Sequence, residues 1–290
     1  MSDSRKPVAP PVTDIHVHVQ PAGLIRAGVA DAFRREGWGH YEYYAEVCRD
    51  PAVLLEEMNR QGIARVGLVN DVSPDVTGFD ESSNDFCLAY ADRDRTRLLP
   101  ITGVNALRVK DGAAEVDRLA DSGSVALKIH PPHQGYAANA YTEGLESLGS
   151  IYRRAEERNL PVVIHTGTSV FPGARCKYSR PMDLDDVAVD FPRLRIVMAH
   201  GGRPIWYDEA FFLLRRHPNL WLDISGIPVR RIPDFLPRLP EIGTRVMYGS
   251  DWPGLDVLDF RTNADKFLEL PFPDEWKAGV LDGHSRILFP

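Results

Sequence analysis

Short apolar runs alternate with longer amphipathic stretches along nearly the whole chain. Each run is rich in Val, Ile and Leu, which is typical of strands buried in a sheet. We predict eight strands, at 12–19, 64–70, 98–104, 125–130, 160–165, 194–200, 220–224 and 246–250.

The stretches between the strands predict helices. They lie at 51–61, 81–94, 111–121, 143–159, 182–191, 204–217, 232–239, 256–270 and 274–281. The first helix begins with Pro51 and is followed by Gly62, a start and a stop signal. The polar segment at 21–50, with its aromatic residues clustered from Trp38 to Tyr44, is long for a strand-to-helix connection. We interpret it as a lid or an insert.

Strands that alternate with helices predict a parallel sheet covered on both faces. Eight such units fit a closed (β/α)8 barrel. An open doubly wound sheet is the alternative, but the chain has no GxGxxG turn to support it. We therefore predict one α/β domain at 12–290, a single TIM barrel with an aromatic-rich insert after strand 1 and a C-terminal helix. Residues 1–11 are expected to be a flexible leader.

Composition limits the partners and the compartment. The chain has 290 residues, 43% of them hydrophobic, and a net charge of −7 without any prominent basic run. This argues against nucleic acid or a membrane as the main partner and leaves a small-molecule substrate. Cys48, Cys87 and Cys176 are odd in number and scattered, so we expect a reducing, cytoplasmic location. A homodimer is one assembly that we consider.

The first strand carries two histidines close together. In an extended strand, Asp14, His16 and His18 point to one face and the apolar residues between them to the other. Two imidazoles at this spacing can hold one metal ion, but a strand that carries two structural histidines has the same pattern. Asp14 is expected to orient a ligating histidine.

Other polar residues fall at the carboxyl ends of the predicted strands, where the loops of a barrel converge. They are Lys128 and His130 after strand four, His165 after strand five, His200 after strand six and Asp251 after strand eight. Any of these histidines alone would be read as structural. Their shared position indicates one site.

The chemistry of these residues suits a divalent metal. His16, His18, His165 and Asp251 would supply three nitrogens and one oxygen, which suits zinc first and also manganese or another first-row ion. His200 would remain as a free acid or base. A bound ion can lower the pKa of its water to about 7.

Four motifs together resemble the amidohydrolase superfamily. They are DIHVH on strand one, HTG on strand five, HGG on strand six and GSDWP on strand eight. Within it the chain is most similar, from residue 12 to about 288, to the amidohydrolase-related branch that contains aminocarboxymuconate-semialdehyde decarboxylase. The resemblance implies a metal-dependent barrel enzyme whose ion is held by His16, His18, His165 and Asp251. It also implies that His200 handles a proton or polarises the substrate, and that Asp251 accepts a proton as well as binding the ion.

Lys128 leaves two metal arrangements open. In two-metal hydrolases of the superfamily a lysine after strand four is carbamylated and bridges the ions. In the one-metal branch such a lysine would pair with a substrate carboxylate or with Asp251. We favour one metal, with Lys128 as a catalytic residue.

Several further residues are candidate substrate contacts: Arg175, Arg203, His130, His133 and Trp252. Guanidinium groups recognise carboxylates in a bidentate manner, so the arginines suit an anionic substrate. A solvated loop at 168–181, a polar loop after strand four and a buried aromatic are the alternatives.

Three functions remain. The leading one is hydrolysis of an amide, lactone or ester by a metal-activated water, on a small carboxylate-bearing substrate. Non-oxidative decarboxylation of an unsaturated or aromatic acid is the alternative, because it uses the same ligands and the same base. A metal-binding barrel without catalysis is the third.

Overall fold

The computed structural model describes residues 10–35, 41–254 and 257–290. Eight parallel strands lie side by side in chain order. They are β1 (Val12–Val17), β2 (Ile63–Val69), β3 (Leu98–Gly103), β4 (Ala126–Ile129), β5 (Val162–His165), β6 (Ile196–Ala199), β7 (Leu220–Asp223) and β8 (Val246–Met247). Helices lie between them, so the predicted (β/α)8 TIM barrel is confirmed.

The α-helices of the described ranges largely follow the predicted ones. They are α1 (Ala27–Arg35), α2 (Tyr41–Arg49), α3 (Pro51–Gln61), α4 (Ser82–Ala91), α5 (Gly112–Asp121), α6 (Pro131–Gln134), α7 (Glu146–Glu157), α8 (Asp183–Asp190), α9 (Tyr207–Arg216), α10 (Ile232–Phe235), α11 (Thr262–Leu268), α12 (Asp274–Ala278) and α13 (Ser285–Leu288). Helix α3 has the predicted bounds, because Asp50 caps its first turn and Gly62 ends it with a φ of 69°. Most of the others are shorter at their ends. Among the described helices, none combines the length and the apolar character that a bilayer crossing requires.

The predicted leader and the helix predicted at 256–270 fall partly outside the described ranges, as does the insert at 21–50. Residues 1–9 of the leader do, so the leader stays a prediction. Residue 256, the predicted start of the helix that contains α11, does as well.

The insert after β1 is helical, containing α1 and α2, where we had expected a lid or insert of unspecified structure. In α2, Tyr44 and Val47 are buried. The ring of Tyr44 lies 5.8 Å, centroid to centroid, from that of Trp252 after β8. The insert therefore packs against the loop that follows the last strand. Trp38, where the predicted aromatic cluster begins, is outside the described ranges.

The barrel interior is apolar below its polar mouth. An inner cluster contains Val163 and Trp221 on the strands, together with Leu288 and Phe289 near the end of the chain. Val163 lies two residues before His165, so both side chains point to the same face of β5. The apolar filling at the amino ends of the strands thus supports the polar residues at their carboxyl ends.

Strand β1 does not alternate strictly. Its register with β2 shifts between Asp14 and Val17, which indicates a β-bulge. As a result Ile15 packs in the inner cluster, whereas Val17 packs in the layer between strands and helices. The predicted common face for the apolar residues of this strand is therefore wrong. The rings of His16 and His18 are still neighbours, 5.1 Å apart.

The ends of the sheet meet through main-chain hydrogen bonds. The Asp251 N–H donates to the His16 carbonyl at 2.9 Å, and the His18 N–H donates to the Trp252 carbonyl at 2.7 Å. These bonds bring the last strand's loop against the first strand.

Truncating the inner cluster should destabilise the barrel. Phe289→Ala removes a side chain that is 2% exposed, and we expect a loss of about 3–5 kcal/mol in the free energy of unfolding. Ile287→Ala is the matched control, because Ile287 is 53% exposed and should change stability by less than about 0.5 kcal/mol. Urea unfolding followed by circular dichroism measures both. Equal losses in the two variants would contradict the inner packing of Phe289.

Candidate metal centre

The predicted polar residues meet in one cavity of about 700 Å³ at the barrel mouth. Those that line it are His16, His18, Lys128, His130, His165, His200, Arg203 and Asp251. They come from loops and strand ends far apart in sequence. The site therefore lies at the carboxyl ends of the strands, as the sequence predicted.

Two of the predicted metal ligands converge on a third. Asp251 Oδ1 lies 3.2 Å from His18 Nε2 and 3.6 Å from His16 Nε2. Ligand atoms bound to one tetrahedral ion at about 2.0–2.2 Å are separated by roughly 3.3–3.6 Å. The spacing of these atoms fits a single shared ion.

Orphaned buried atoms support the same conclusion. His16 Nε2 and both ring nitrogens of His165 are buried and have no hydrogen-bond partner among the described residues. An unpaired buried polar atom costs about 1–3 kcal/mol. Coordination to a divalent ion would satisfy His16 Nε2 and one nitrogen of His165, so the residues present fit the metal.

Two of the predicted ligands, His16 and His18, are oriented through their Nδ1 atoms. His16 Nδ1 donates to Asp223 Oδ2 at 2.5 Å, and His18 Nδ1 donates to the Val69 carbonyl at 3.1 Å. Because the Asp223 carboxylate can only accept, the His16 proton lies on Nδ1 and its Nε2 keeps a lone pair for an ion, whereas His18 Nε2 lies within hydrogen-bonding distance of Asp251 Oδ1.

Asp223 was missed by the sequence analysis, which assigned the orienting role to Asp14. Asp14 instead accepts main-chain hydrogen bonds from Ser250 at 2.8 Å and from His16 at 3.2 Å. It thus fixes the backbone of the site, and burial raises its pKa to about 7. The missed signal was the position of Asp223 directly after the apolar run of β7.

The pKa values of the site residues favour the binding of a cation. Burial, reinforced by nearby positive charges, lowers the pKa of His16, His165 and His200, so their rings stay neutral as ligation requires. Burial alone would raise the pKa of Asp251. The neighbouring His200 and Arg203 outweigh that effect and hold the pKa of Asp251 well below its usual range, so the carboxylate is ionised.

His200 lies beside the predicted metal ligands, and a hydrogen bond fixes its ring. Its Nδ1 donates to the Ser225 carbonyl at 2.9 Å, and its ring centroid lies 4.9 Å from that of His16. His200 and Asp251 have φ values of 69° and 68°, and they are two of the three non-glycine residues with positive φ in the described ranges. Strained backbone of this kind concentrates at functional sites.

Lys128 is completely buried, and its Nζ makes no hydrogen bond to any described residue. Burial lowers its pKa to about 8, although the carboxylates of Asp223 and Asp251 act in the opposite direction. The residue lies in the cavity as predicted. A single ion, with Lys128 as a catalytic residue and not a carbamylated bridge, remains a prediction.

Arg203 lies in the cavity, where its side chain pairs with Asp251, a predicted metal ligand. Its Nη1 donates to Asp251 Oδ2 at 3.0 Å, so the two oxygens of Asp251 face a guanidinium on one side and imidazoles on the other. The guanidinium passes over Gly226, where a Cβ would overlap it. Gly226, with a φ of 64°, is therefore required for this ion pair.

Two predicted substrate contacts lie elsewhere. Trp252 is buried in the outer hydrophobic layer, where its ring lies 4.8 Å from that of Phe260. Arg175 is not among the residues that line the cavity. Its main-chain N–H donates to the Pro132 carbonyl, which ties the loop after β5 to α6.

His130 and His133 both line the cavity. Their rings stack with centroids 3.5 Å apart, and His130 also stacks on His165 at 4.0 Å. His133 is hydrogen-bonded to Asp71, which the sequence analysis missed because no local pattern links the loop after β2 to α6. Burial raises the pKa of Asp71, but hydrogen bonds from His133 and Ser73 prevail and lower it to about 2.

Histidines and an aspartate gathered at the mouth of a (β/α)8 barrel define the class of TIM-barrel enzymes that work with a divalent metal. The chain belongs to the amidohydrolase family, whose model, described as Amidohydrolase, matches residues 13–290. The resemblance drawn from the four motifs is thereby confirmed. A comparison with curated proteins found no match.

Three solved structures share the fold. A probable 2-pyrone-4,6-dicarboxylic acid hydrolase from Acinetobacter baumannii, with citric acid bound, is 17% identical, with a TM-score of 0.68 and coverage of 96% of this chain and 98% of that chain. A 5-carboxyvanillate decarboxylase from Novosphingobium aromaticivorans, with manganese and 4-hydroxy-3-methoxy-5-nitrobenzoic acid, is 16% identical, with a TM-score of 0.67 and coverage of 97% and 95%. An amidohydrolase from Burkholderia multivorans, with bound zinc, is 14% identical, with a TM-score of 0.66 and coverage of 96% and 98%.

Removing the orienting carboxylate should weaken metal binding. In Asp223→Asn the charged acceptor for His16 Nδ1 is lost, and we expect the Kd for zinc to rise about 10–100-fold. Competition with a chromophoric chelator measures it.

Asp185→Asn is the matched control for that experiment. Asp185 accepts from His217 Nε2 at 2.6 Å, a comparable pair whose residues do not line the cavity. Zinc affinity should be unchanged in this variant. A normal Kd in Asp223→Asn would contradict the orienting role.

Proposed function

We propose that this enzyme is a metal-dependent hydrolase that acts on a small, carboxylate-bearing substrate through a metal-activated water. One observation carries the proposal: the unpaired, buried nitrogens of His16 and His165 lie in one cavity with the ionised Asp251 and with His200. We assign His16, His18, His165 and Asp251 as ligands and His200, Asp251 and Lys128 as catalytic residues.

The cavity wall supports the substrate class. Phe79, Phe171 and Ile227 give it an apolar side, and Arg203, Arg230 and Lys266 add positive charge. An apolar body with a carboxylate matches this combination. The dicarboxylic acid hydrolase that shares the fold holds citric acid, which supports the same class.

The protein's own groups would share the proton transfers. When bound, a divalent ion supplies Lewis acidity and an acidified water. His200, held through Nδ1 by the Ser225 carbonyl, presents Nε2 to the cavity as an acid or base. Asp251 Oδ2 accepts a hydrogen bond from Arg203. A substrate carboxylate that bound this guanidinium would replace that hydrogen bond, and Oδ2 could then accept a proton.

Decarboxylation is the second candidate, and the Arg203–Asp251 ion pair favours it. The pair keeps the pKa of Asp251 well below its usual range, which makes this carboxylate a weak proton acceptor. Hydrolysis needs a base that accepts a proton from the attacking water, whereas loss of CO2 from the substrate does not. The decarboxylase that shares the fold lends further support.

Isotopic labelling separates the two candidates. Metal-loaded protein is incubated in H2(18)O with lactones, esters and amides that carry a carboxylate, and with phenolic acids. We expect one heavy oxygen in the released acid, and a kcat about 10²–10⁴-fold lower in His200→Ala because a proton-transfer group is lost. CO2 release with no heavy oxygen in the organic product would establish decarboxylation instead.

The location, the assembly and several substrate contacts are predictions. Cys48, Cys87 and Cys176 are free thiols, which supports a cytoplasmic location. A homodimer, the exclusion of nucleic acid, the contacts of Arg175, His130 and Trp252 with substrate, and a single ion per chain also stay predictions. The third interpretation, a barrel without catalysis, is set aside because the family is one of enzymes.

A further inference from the structure

A second polar cluster, formed by Asp71, His133 and Ser169, lies in the wall of the same cavity. His133 Nδ1 lies 3.2 Å from Asp71 Oδ2, and His133 Nε2 lies 2.8 Å from Ser169 Oγ. The three residues come from the loop after β2, from α6 and from the loop after β5. The proposed metal chemistry uses none of them.

The direction of the hydrogen bonds follows from the groups. A carboxylate can only accept, so His133 Nδ1 carries the ring proton and donates it to Asp71. His133 Nε2 is then an acceptor, and the Ser169 hydroxyl donates to it. A hydroxyl on an imidazole that a carboxylate orients is the arrangement that activates a serine nucleophile.

The base of this cluster is held rigidly. Asp71 and His133 are 4% and 7% exposed. Ser73 Oγ donates to Asp71 Oδ2 at 2.7 Å, and the ring of His133 stacks on that of His130 with an interplanar angle of 15°. Neither member of the pair can turn away without losing a buried contact.

A metal site is the competing interpretation, since ligand atoms of Asp71, His130 and His133 lie within 4.8 Å of one another. Coordination requires the lone pairs of both imidazoles to point at the ion. Stacked rings with centroids 3.5 Å apart and an interplanar angle of 15° confine their lone pairs to two nearly parallel planes instead, so one ion does not lie in both planes. The stacking favours the hydroxyl relay over an ion.

We propose that Ser169 is a second, metal-independent nucleophile that accepts acyl groups from small esters. Ser169 Oγ forms a bond to the acyl carbon while its proton passes to His133 Nε2. The ester's alcohol leaves with that proton. Water then cleaves the acyl-serine bond, which releases the acid and restores the hydroxyl. Phe171, whose ring lies 5.4 Å from that of His133, provides an apolar surface for the acyl group.

An alkyl fluorophosphonate tests this proposal on full-length, metal-loaded protein. Ser169 Oγ would bond to phosphorus, fluoride would leave, and peptide mass spectrometry would locate the adduct. We expect labelling at Ser169, none at that position in Ser169→Ala, and rates at least about 10²-fold lower in His133→Ala and Asp71→Asn. Metal removal by a chelator should leave the rate unchanged, which separates this result from failure of the proposed metal hydrolase.

Two controls keep the experiment decisive. His217→Ala removes another buried histidine that is hydrogen-bonded to an aspartate, Asp185, but does not line the cavity, and it should label at the wild-type rate. His133→Gln, checked for folding by circular dichroism, replaces His133→Ala if the latter unfolds. Absence of an adduct on Ser169 in folded wild-type protein, or an unchanged rate in the folded His133 variant, would overturn the proposal.

Discussion

The contact between the first and last strands is the constraint on which this site depends. The Ile15 N–H donates to the Tyr248 carbonyl at 3.1 Å, and the Asp251 N–H donates to the His16 carbonyl. The residues that close the barrel are thus the proposed metal ligands or their neighbours. Two segments more than 200 residues apart reach ligating distance only when all eight strands are in register. Fold and chemistry are therefore completed by the same few hydrogen bonds.

Burial then determines what these residues can do. Taking imidazoles and carboxylates out of water costs free energy unless they are paired. Asp223 pairs with His16 and Arg203 pairs with Asp251, whereas Lys128 Nζ has no hydrogen-bond partner among the described residues. A site assembled in this way is destabilising by itself, and the apolar inner cluster beneath it offsets that loss.

Local patterns predicted the parts of the structure that local chemistry determines. Apolar runs located all eight strands, and the strand ends located His16, His165 and Asp251, because period and burial are properties of short segments. The bulge in β1 was not predictable, since it arises from register with β2. Pairs such as Asp223 and His16 join residues that are distant in sequence, so they cannot be inferred from the spacing of residues along the chain.

Gly226 links two loops that a barrel of this kind would otherwise vary separately. The loop after β7 leaves out a side chain at this position, and the guanidinium from the loop after β6 fills the space. Variation of the loops of a (β/α)8 barrel is what allows the fold to support many chemistries. Here the loops after β6 and β7 are coupled, because a side chain at position 226 would displace the guanidinium that pairs with Asp251. A change of substrate specificity in this enzyme would therefore require changes in both of these loops together, or changes in the other loops.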